Sequence, residues 1–575
     1  MSFEQFMVLG IFLSTLFSLI FSNKSPSFIF AVGTLALILC NAIAFQEVLL
    51  NLSNKGLVIL VLLLLCSVVV DKTGMMKKLS RGLVEKNQPK SIVKILSLSF
   101  FSSALLNNTA VVATLISALK HNQYIAPSKL LIPLSYAAIL GGTVTLVGTS
   151  TNLIVDSFLI EHTGAGFNFF DFTLYGLTAG LICCALIYLI IPFLPETSAK
   201  EDNYKTYLIE AKVEPNSQLI GKTVESNHLR NLPELFLVEL VRNKRLISPV
   251  SPDMIIESGD KLIFSGNIAK VDSLDHIDGL SFFADSNGLL RENLTEVVVS
   301  NRAQLIGKTL KQVGFRSMFD AAVVAIRRDG GRLSGKLGEI TLKAGDFLLL
   351  ATDNDFRNRP NINNNFFVLS ELKVNKKLGK AQDKLAIGGF LLAILAAAFE
   401  IISLDVVLII LLMVYLITDV ISSNEIKRSL PVNLIVIIVG ALSLAKALQS
   451  SGLIAMMTDT LHPFLSVASP FVALLTIYVV TLILTELVTN NAAAALMFPF
   501  AIGVAEALGL PVMAFALAVA FAASASFLSP YGYQTNLLVF SAGGYRFIDF
   551  VKFGLPVSFA YSSVVLLLLK WQYQL

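Results

Sequence analysis

Charged residues are scarce in this sequence of 575 amino acids. Asp, Glu, Lys and Arg make up 15% of the chain, hydrophobic residues make up 55%, and the mean hydropathy is +0.73. Soluble domains carry about 25% charged residues, so this composition excludes an ordinary soluble protein. The small net charge of +4 says little about partners, and the sequence predicts no nucleic-acid partner.

Cysteine and histidine are also scarce. The four cysteines lie in apolar runs without a CxxC spacing, which excludes a disulfide framework and a zinc site; they are Cys40, Cys66, Cys183 and Cys184. The five histidines have no ligand spacing and predict no metal role; they are His121, His162, His228, His276 and His462. No nucleophile–base pair is found either, so the sequence does not predict an enzyme.

Long apolar runs, in contrast, are abundant. They are typical of transmembrane helices and lie at 5–22, 27–45, 56–70, 172–195, 385–399, 404–417, 431–445, 470–484 and 555–569. No Lys or Arg precedes Lys24, so we interpret the first run as a retained helix rather than a cleaved signal peptide. The lipid bilayer is therefore an expected partner.

A polar insert divides the chain into two apolar halves, 1–195 and 385–575. More than half of the charged residues fall between 196 and 384. About 190 residues suffice for one or two small domains.

The insert contains an internal repeat. "QLIGKT" at 218–223 recurs at 304–309, and "SGDKLIF" at 258–264 matches "AGDFLLL" at 344–350, both at an offset of 86 residues. Alternating runs such as "LFLVELV" and "AAVVAI" predict strands in both copies. The GKT segments lack the first glycine of a P-loop, and we interpret them as turns.

The two copies, at 205–268 and 291–355, resemble the C-terminal domain of potassium-conductance regulators, called TrkA-C, through their "GKT" and "GD" positions. The resemblance implies a pair of small α+β domains of a class that is usually dimeric. Some members bind nucleotides, which leaves a nucleotide as a candidate ligand of the insert.

The two membrane halves repeat as well. "NNTAVVA" at 107–113 pairs with "TNNAAAA" at 489–495, and "GTSTNLIV" at 148–155 pairs with "GYQTNLLV" at 532–539. Transporter repeats are often inverted and hold the substrate at their interface. Segment 72–94 contains seven Lys or Arg, which predicts that this segment and the insert 196–384 are cytoplasmic.

This layout requires one re-entrant hairpin and one broken helix in each half. The predicted hairpins are 92–122 and 469–508, and the predicted broken helices are 128–160 and 511–543. Non-helical backbone is tolerated at membrane depth where it is buried in protein or lines a cavity. Gly148 and Gly532 predict unusual backbone angles in the breaks, and Pro530 removes a helical hydrogen bond.

Polar residues at the hairpin tips are the candidate substrate ligands: Asn107, Asn108, Thr109, Thr489, Asn490 and Asn491. Their amide and hydroxyl groups, with helix N-termini, suit anionic oxygens, while oxygens and freed carbonyls suit Na+. Glu486, three residues before the second tip, is expected to orient that tip, with membership of the cation shell as the alternative.

Tips and breaks together resemble the divalent-anion:sodium symporter family of the ion-transporter superfamily, over about 27–195 and 385–575. Its known members are homodimers that carry dicarboxylates, citrate or sulfate by an elevator-like motion, usually with Na+. The resemblance implies cation ligands at Asn108, Gly148, Thr151, Asn152, Asn490, Tyr533, Thr535 and Asn536. Asn491 replaces the threonine of the second Ser-Asn-Thr motif, and the insert resembles that of the sulfate-transporting branch, which favours sulfate.

The sequence therefore predicts an all-α polytopic protein of the plasma membrane, with inverted repeats and a cytoplasmic α+β insert. The predicted function is Na+-coupled uptake of a small divalent anion, regulated by the insert. Alternatives are a dicarboxylate symporter, an anion sensor, and a Na+/H+ antiporter that uses Asp156, Asp419 or Glu486. A K+ channel is disfavoured because no TVGYG-like filter occurs.

Overall fold

The computed structural model describes most of the chain. The described residues are 1–22, 24–73, 83–120, 122, 124–196, 208–227, 229, 235–242, 245–247, 250–266, 280–283, 294–300, 303–319, 321–328, 331–333, 337–352, 356, 361–369, 379–456 and 469–575. Outside them lie His121, His228, His276 and His462, together with residues 74–82 of the basic segment 72–94.

The first membrane half is helical. Its helices are α1 (Phe3–Phe21), α2 (Pro26–Leu39), α3 (Phe45–Leu52), α4 (Lys55–Lys72), α5 (Gln88–Ser103), α6 (Asn108–Lys120), α7 (Pro127–Gly142), α8 (Ser150–Thr163) and α9 (Thr173–Ile190). The interruptions fall within the predicted hairpin and broken helix: α5 ends at Ser103 before α6 begins, and α7 ends at Gly142 before α8 begins.

The described part of the insert adds three short α-helices, α10 (Leu310–Val313), α11 (Phe315–Phe319) and α12 (Ile362–Asn365). The second half consists of α13 (Lys380–Ala398), α14 (Leu404–Ile417), α15 (Ser423–Ser429), α16 (Val432–Ser450), α17 (Pro470–Leu487), α18 (Asn490–Ala507), α19 (Val512–Ser524), α20 (Gln534–Gly543) and α21 (Phe547–Tyr573). Here the interruptions separate α17 from α18 and α19 from α20, in the same order as in the first half.

The membrane helices expose apolar side chains and bury polar ones. Six described helices are long and apolar enough to cross a bilayer, and a seventh span results if the bent pair α3 and α4 counts as one. Leu392, Ile409 and Leu567 are exposed, whereas Asn108, Asn152 and Asn536 are buried. This inverted distribution fits a multi-pass membrane protein, because lipid favours an apolar surface and buried polar groups need internal partners.

Ten strands of the insert form two separate sheets. They are β1 (Leu208–Val213), β2 (Leu235–Arg242), β3 (Arg245–Ile247), β4 (Lys261–Gly266), β5 (Leu280–Phe283), β6 (Leu294–Val299), β7 (Ala321–Arg328), β8 (Gly331–Arg332), β9 (Phe347–Thr352) and β10 (Phe366–Val368). We call β1–β5 the first β unit and β6–β10 the second.

The two β units have the same fold. The first sheet has the order β3-β2-β4-β1-β5, and the second has the equivalent order β8-β7-β9-β6-β10. The same irregularity interrupts the register after Leu237 in β2 and after Val323 in β7, again 86 residues apart. Each unit has its own hydrophobic cluster, so the repeated sequence builds two self-contained sheets.

The "GD" positions of the repeat are explained by one ion pair in each unit. Arg242 Nε lies 2.8 Å from Asp260 Oδ1, and Arg328 Nε lies 2.7 Å from Asp346 Oδ1. In each pair a guanidinium Nη2 also binds the second carboxylate oxygen, at 2.7 and 2.8 Å. Such bidentate pairing of a buried aspartate makes both residues structural.

The second β unit packs against the membrane core. Ser541, near the end of α20, donates to Gly345 O at 2.6 Å, and its own carbonyl accepts from Arg327 Nη2 at 2.9 Å. Lys120, the last residue of α6, lies 2.7 Å from Glu296. Phe347 belongs to the hydrophobic cluster of the membrane helices. The contact therefore lies on the terminal turns of α6 and α20.

Candidate functional site

Four helix N-termini meet where the two halves interlock. Asn108 begins α6, Thr149 precedes α8, Asn491 is the second residue of α18, and Tyr533 precedes α20. Hydrogen bonds join the start of α6 to the start of α20, and the start of α8 to those of both α18 and α20. Because unpaired N–H groups and the positive ends of helix dipoles lie at N-termini, the four starts create a region suited to negative charge.

The first tip is bound to the break of the second half. Asn108 Nδ2 donates to Tyr533 OH at 2.8 Å, and Asn108 Oδ1 accepts from Ser103 Oγ at 2.6 Å. Tyr533 OH also lies 3.1 Å from Thr149 Oγ1. Thr109 Oγ1 donates to Gln534 Oε1 at 3.3 Å. The amide of Asn108 is thereby fixed by partners from both halves.

The second tip is bound to the break of the first half. Asn491 Oδ1 accepts from Ser150 Oγ at 3.1 Å and from Thr151 Oγ1 at 3.4 Å. Asn490, at the start of α18, is buried. Each tip therefore contacts the opposite half, so neither half contains the complete arrangement.

Asn107 is the candidate that turns away from this arrangement. Its side chain is exposed, and its Oδ1 accepts from Thr109 N at 2.9 Å. This bond satisfies one of the free N–H groups at the start of α6. Asn107 is therefore placed as a helix cap.

The two Thr-Asn pairs brace the breaks. Asn152 Nδ2 donates to Thr145 O at 2.9 Å, and Asn536 Nδ2 donates to Ser526 O at 2.8 Å. Asn536 Oδ1 accepts from Ser135 Oγ on α7, at 2.8 Å. These asparagines hold the non-helical backbone of the two breaks and connect one break to the other half.

The expectation about Gly148 and Gly532 is wrong in its physical reason. Neither has a positive φ. A Cβ on Gly148 would instead overlap Gly142 O, and a Cβ on Gly532 would overlap Ser526 Oγ. Both positions therefore require glycine because of close packing rather than because of unusual backbone angles.

Gly142 is a site residue that sequence reasoning missed. A Cβ on Gly142 would lie 2.5 Å from Asn108 Nδ2 and 2.6 Å from Asn108 Oδ1. Its place at the end of an apolar helix gives no local signal of this contact. The same is true of the other missed partners of the tips, which are Ser103, Thr149, Ser150 and Gln534.

Two side-chain hydroxyls in the region have no partner among the described residues. They are Thr489 Oγ1 and Thr535 Oγ1, and both atoms are buried. An unsatisfied buried hydroxyl costs about 1–3 kcal/mol. A bound Na+ would accept these oxygens as ligands, so the residues present fit the cation that the sequence predicts.

The three carboxylates considered for proton exchange have different environments. Asp156 Oδ1 accepts from Phe167 N at 2.7 Å and holds the loop after α8. Asp419 lies beyond the end of α14 with φ of 53°. Only Glu486 borders the tips, and it accepts from three backbone N–H groups.

Comparison with known proteins identifies a transporter family. The sequence profile of the citrate transporter family, CitMHS, matches residues 16–520. An uncharacterised transporter of Synechocystis is 33% identical over 88% of this chain and 87% of its own length. A candidate sulfur deprivation response regulator of Chlamydomonas reinhardtii is 30% identical over 92% and 95%.

A third relative carries a substrate in its name. Sodium/sulfate cotransporter 1 of Chlamydomonas reinhardtii is 28% identical over 62% of this chain and 42% of its own length. The family profile, the uncharacterised transporter of similar length and the apolar helices agree on a multi-pass membrane transporter. The chain belongs to the citrate transporter family.

Proposed function

We propose that this protein is a secondary active transporter that couples the uptake of sulfate, or a closely similar small divalent anion, to Na+. The convergence of four helix N-termini carries the proposal. Oriented N–H groups and neutral amide and hydroxyl donors can bind an oxyanion without a cationic side chain. Within the described part of the chain, the hydrogen bonds of the tip side chains involve no Lys, Arg or His.

Two features favour sulfate over a dicarboxylate. The name of the sodium/sulfate cotransporter relative provides the first. Asn491 provides the second, because an amide stands where the symporters that the chain resembles have threonine, and its oxygen is already bound to Ser150 and Thr151. Citrate or another dicarboxylate is the second candidate, because the matching family profile is that of citrate transporters.

Cations and anion would occupy neighbouring positions. The first cation site would use Asn108, Gly148, Thr151 and Asn152, and the second Asn490, Tyr533, Thr535 and Asn536. The unpartnered hydroxyl of Thr535 supports the second assignment. The anion would lie between the tips, near Asn108, Thr109, Asn490 and Asn491, and the cations would compensate its charge.

The architecture that we propose has two inverted repeats. In it, α5–α6 and α17–α18 are re-entrant hairpins that enter from opposite sides, and α7–α8 and α19–α20 are broken helices. The crosswise bonding of the tips supports this layout. The divalent-anion symporters that the chain resembles support a homodimer with an elevator-like motion.

We also propose that the insert is cytoplasmic, consists of two TrkA-C-like domains and regulates transport. The second β unit contacts the last turns of α6 and α20, and the first turns of the same helices lie at the site. A ligand that shifts this unit would therefore act on helices that hold the tips. A sensor is an alternative, favoured by the full-length relative named for a response to sulfur deprivation.

Sulfate uptake into proteoliposomes tests the proposed function. We expect uptake that requires an inward Na+ gradient and that excess succinate does not inhibit. Competition by succinate or citrate would move the assignment to a dicarboxylate. Absence of flux for all three anions, with correctly folded protein, would contradict transport and favour the sensor.

A further inference from the structure

Glu486 is a negative charge held at the second tip. It lies in the last turn of α17, three residues before Thr489. Its carboxylate accepts three backbone N–H groups and one hydroxyl, which belong to Phe527 at 2.9 Å, Leu528 at 2.9 Å, Ser529 at 2.8 Å and Ser526 at 3.2 Å. No ion pair of Glu486 with Lys, Arg or His occurs among the described residues.

The Glu486 carboxylate borders the proposed second cation site through Ser526. The hydroxyl of Ser526 contacts Glu486 and packs against Gly532 so closely that a Cβ on Gly532 would overlap it. The carbonyl of Ser526 accepts from Asn536 Nδ2 at 2.8 Å. One residue therefore connects the carboxylate with the backbone and the asparagine of the second break.

The position of Glu486 along its helix is unfavourable for a carboxylate. The C-terminal turn of a helix carries the negative end of the dipole, which repels an anion. The three N–H groups offset part of this repulsion. A bound monovalent cation near the unpartnered hydroxyls of Thr489 and Thr535 would offset the remainder.

The first half has no such charge. Ala104 occupies the position that corresponds to Glu486 at the offset of 382 residues. Its carbonyl accepts from Thr145 Oγ1 at 2.6 Å, which fixes the first break without a carboxylate. At this position, just before each tip, the two halves therefore differ by one unit of charge.

We propose that Glu486 makes the second cation site bind Na+ more tightly than the first, so that the two sites fill in order. The inference deepens the proposed function and rests on it for the location of the cation sites. Glu486 acts as a positioning residue for the second break and as the source of its negative potential. It is not itself a ligand of Na+, since its oxygens are occupied by donors.

The test compares Glu486→Gln with Glu506→Gln, a matched control in α18 whose carboxylate binds His162 at 2.8 Å away from the tips. The melting temperature of the purified full-length protein is measured as a function of Na+ concentration, and choline replaces Na+ to keep the ionic strength constant. Na+-driven sulfate uptake is measured in parallel. We expect Glu486→Gln to raise the half-saturating Na+ concentration roughly tenfold or more, because a unit charge in a partly buried site has an effect of this order.

If Glu486→Gln changes the sulfate KM less than threefold at saturating Na+, the substitution acts on cation binding and not on the fold of the whole protein. Glu486→Asp keeps the charge, so we expect a half-saturating Na+ within threefold of wild type. The inference would be overturned if the half-saturating Na+ concentration rises no more in Glu486→Gln than in Glu506→Gln. A tenfold loss of Na+ affinity in Glu486→Asp would also overturn it, and this variant decides the question if the Gln variant does not fold.

The stability measurement also separates this inference from the proposed function. Na+-dependent stabilisation that is lost in Glu486→Gln, without sulfate uptake by wild type, would support the inference and reject sulfate. A wild-type protein whose stability does not respond to Na+ would overturn the inference whatever it transports.

Discussion

The chain contains two duplications that have diverged in opposite ways. In the membrane core, each tip is bound to the break of the other half, through Asn108 with Tyr533 and through Asn491 with Ser150. In the insert, each β unit completes its own sheet and its own hydrophobic cluster. The membrane halves therefore complete one another, whereas each β unit has a complete sheet and core, and the units touch through a hydrogen bond from Arg316 to Leu237 O at 3.1 Å.

The difference explains which copies could specialise. Arg327 and Phe347 of the second β unit contact the membrane core, and their equivalents in the first unit are Val241 and Lys261. The second unit thus has a docking surface, formed by Arg327 and Phe347, although both units have the equivalent strand order. In the membrane core each tip depends on the opposite half, and the tips differ in charge at one preceding position, where the first half has Ala104 and the second has Glu486.

The largest effect is expected from the tip asparagines. Asn108→Ala and Asn490→Ala remove buried amides at the N-termini of α6 and α18. We expect each variant to reduce sulfate uptake about a hundredfold or more, since losing a buried polar contact in a substrate or cation site costs about 3 kcal/mol. Uptake into proteoliposomes at matched protein density measures this effect.

Asn433→Ala is the control for this prediction, because Asn433 binds Ser27 between α16 and α2. We expect it to retain uptake within about threefold. Near-normal uptake in both tip variants would contradict the location of the site.

The next effect is expected at Gly142. A methyl group there would overlap the amide of Asn108, so Gly142→Ala should displace the tip and reduce uptake about tenfold or more. Gly388→Ala in α13, where a Cβ meets nothing within 4 Å, should have no effect. Equal activity of the two variants, measured with the same uptake assay, would show that Asn108 does not need its observed position.

A smaller effect is expected for Tyr533→Phe. The change removes the hydroxyl that joins Asn108 to Thr149 and leaves the ring in place. We expect a threefold to tenfold rise in the half-saturating Na+ concentration, in line with a net loss of about 1 kcal/mol when the hydrogen bonds of this hydroxyl are removed. Tyr188→Phe, on the partly exposed face of α9, is the matched control. An unchanged Na+ dependence would remove Tyr533 from the site.

The docking surface of the second β unit should control the local stability of α20. Replacing Arg327 and Phe347 by Ala removes a hydrogen bond to Ser541 O and a buried ring. Hydrogen–deuterium exchange of residues 534–543 should then increase severalfold. The equivalent changes in the first unit, Val241→Ala and Lys261→Ala, should leave that exchange unchanged. An equal increase in exchange for the two pairs of substitutions would show that the two β units do not differ in their contact with α20.

The smallest effect on transport is expected for a substitution of Glu239. The burial of this residue affects the stability of the insert. This residue of β2 is 2% exposed, its Oε1 has no partner among the described residues, and burial raises its pKa to about 7. Because the folded pKa exceeds the unfolded value of about 4.3, the cost of burying the charge is full above about pH 7 and disappears as the pH falls toward 4.

Glu239→Gln should therefore stabilise the protein by about 1–3 kcal/mol at pH 8 and by little at pH 5. The equivalent residue of the second unit is Ala325, which has no such charge. Melting curves at the two pH values measure the effect. Equal stabilisation at pH 5 and pH 8 would mean that folding does not raise the pKa of Glu239.

The sequence predicted local features better than contacts between halves. Apolar runs located the membrane helices, and the motifs around Asn108, Asn152 and Asn536 marked the interruptions, because helix breaking and hydrophobicity are local properties. The partners of Asn108 were not predictable, since they depend on how two halves pack. Gly142 and Ser103 gave no signal for the same reason.

A double-mutant cycle across the two halves tests the central claim most directly. Thr149→Val, in the first half, and Tyr533→Phe, in the second half, each remove one side of a hydrogen bond of 3.1 Å. The shared site predicts that the half-saturating Na+ for uptake rises no further in the double variant than in Tyr533→Phe alone. Effects that simply add, as expected for Tyr533→Phe combined with Tyr188→Phe, would contradict a site assembled from both halves.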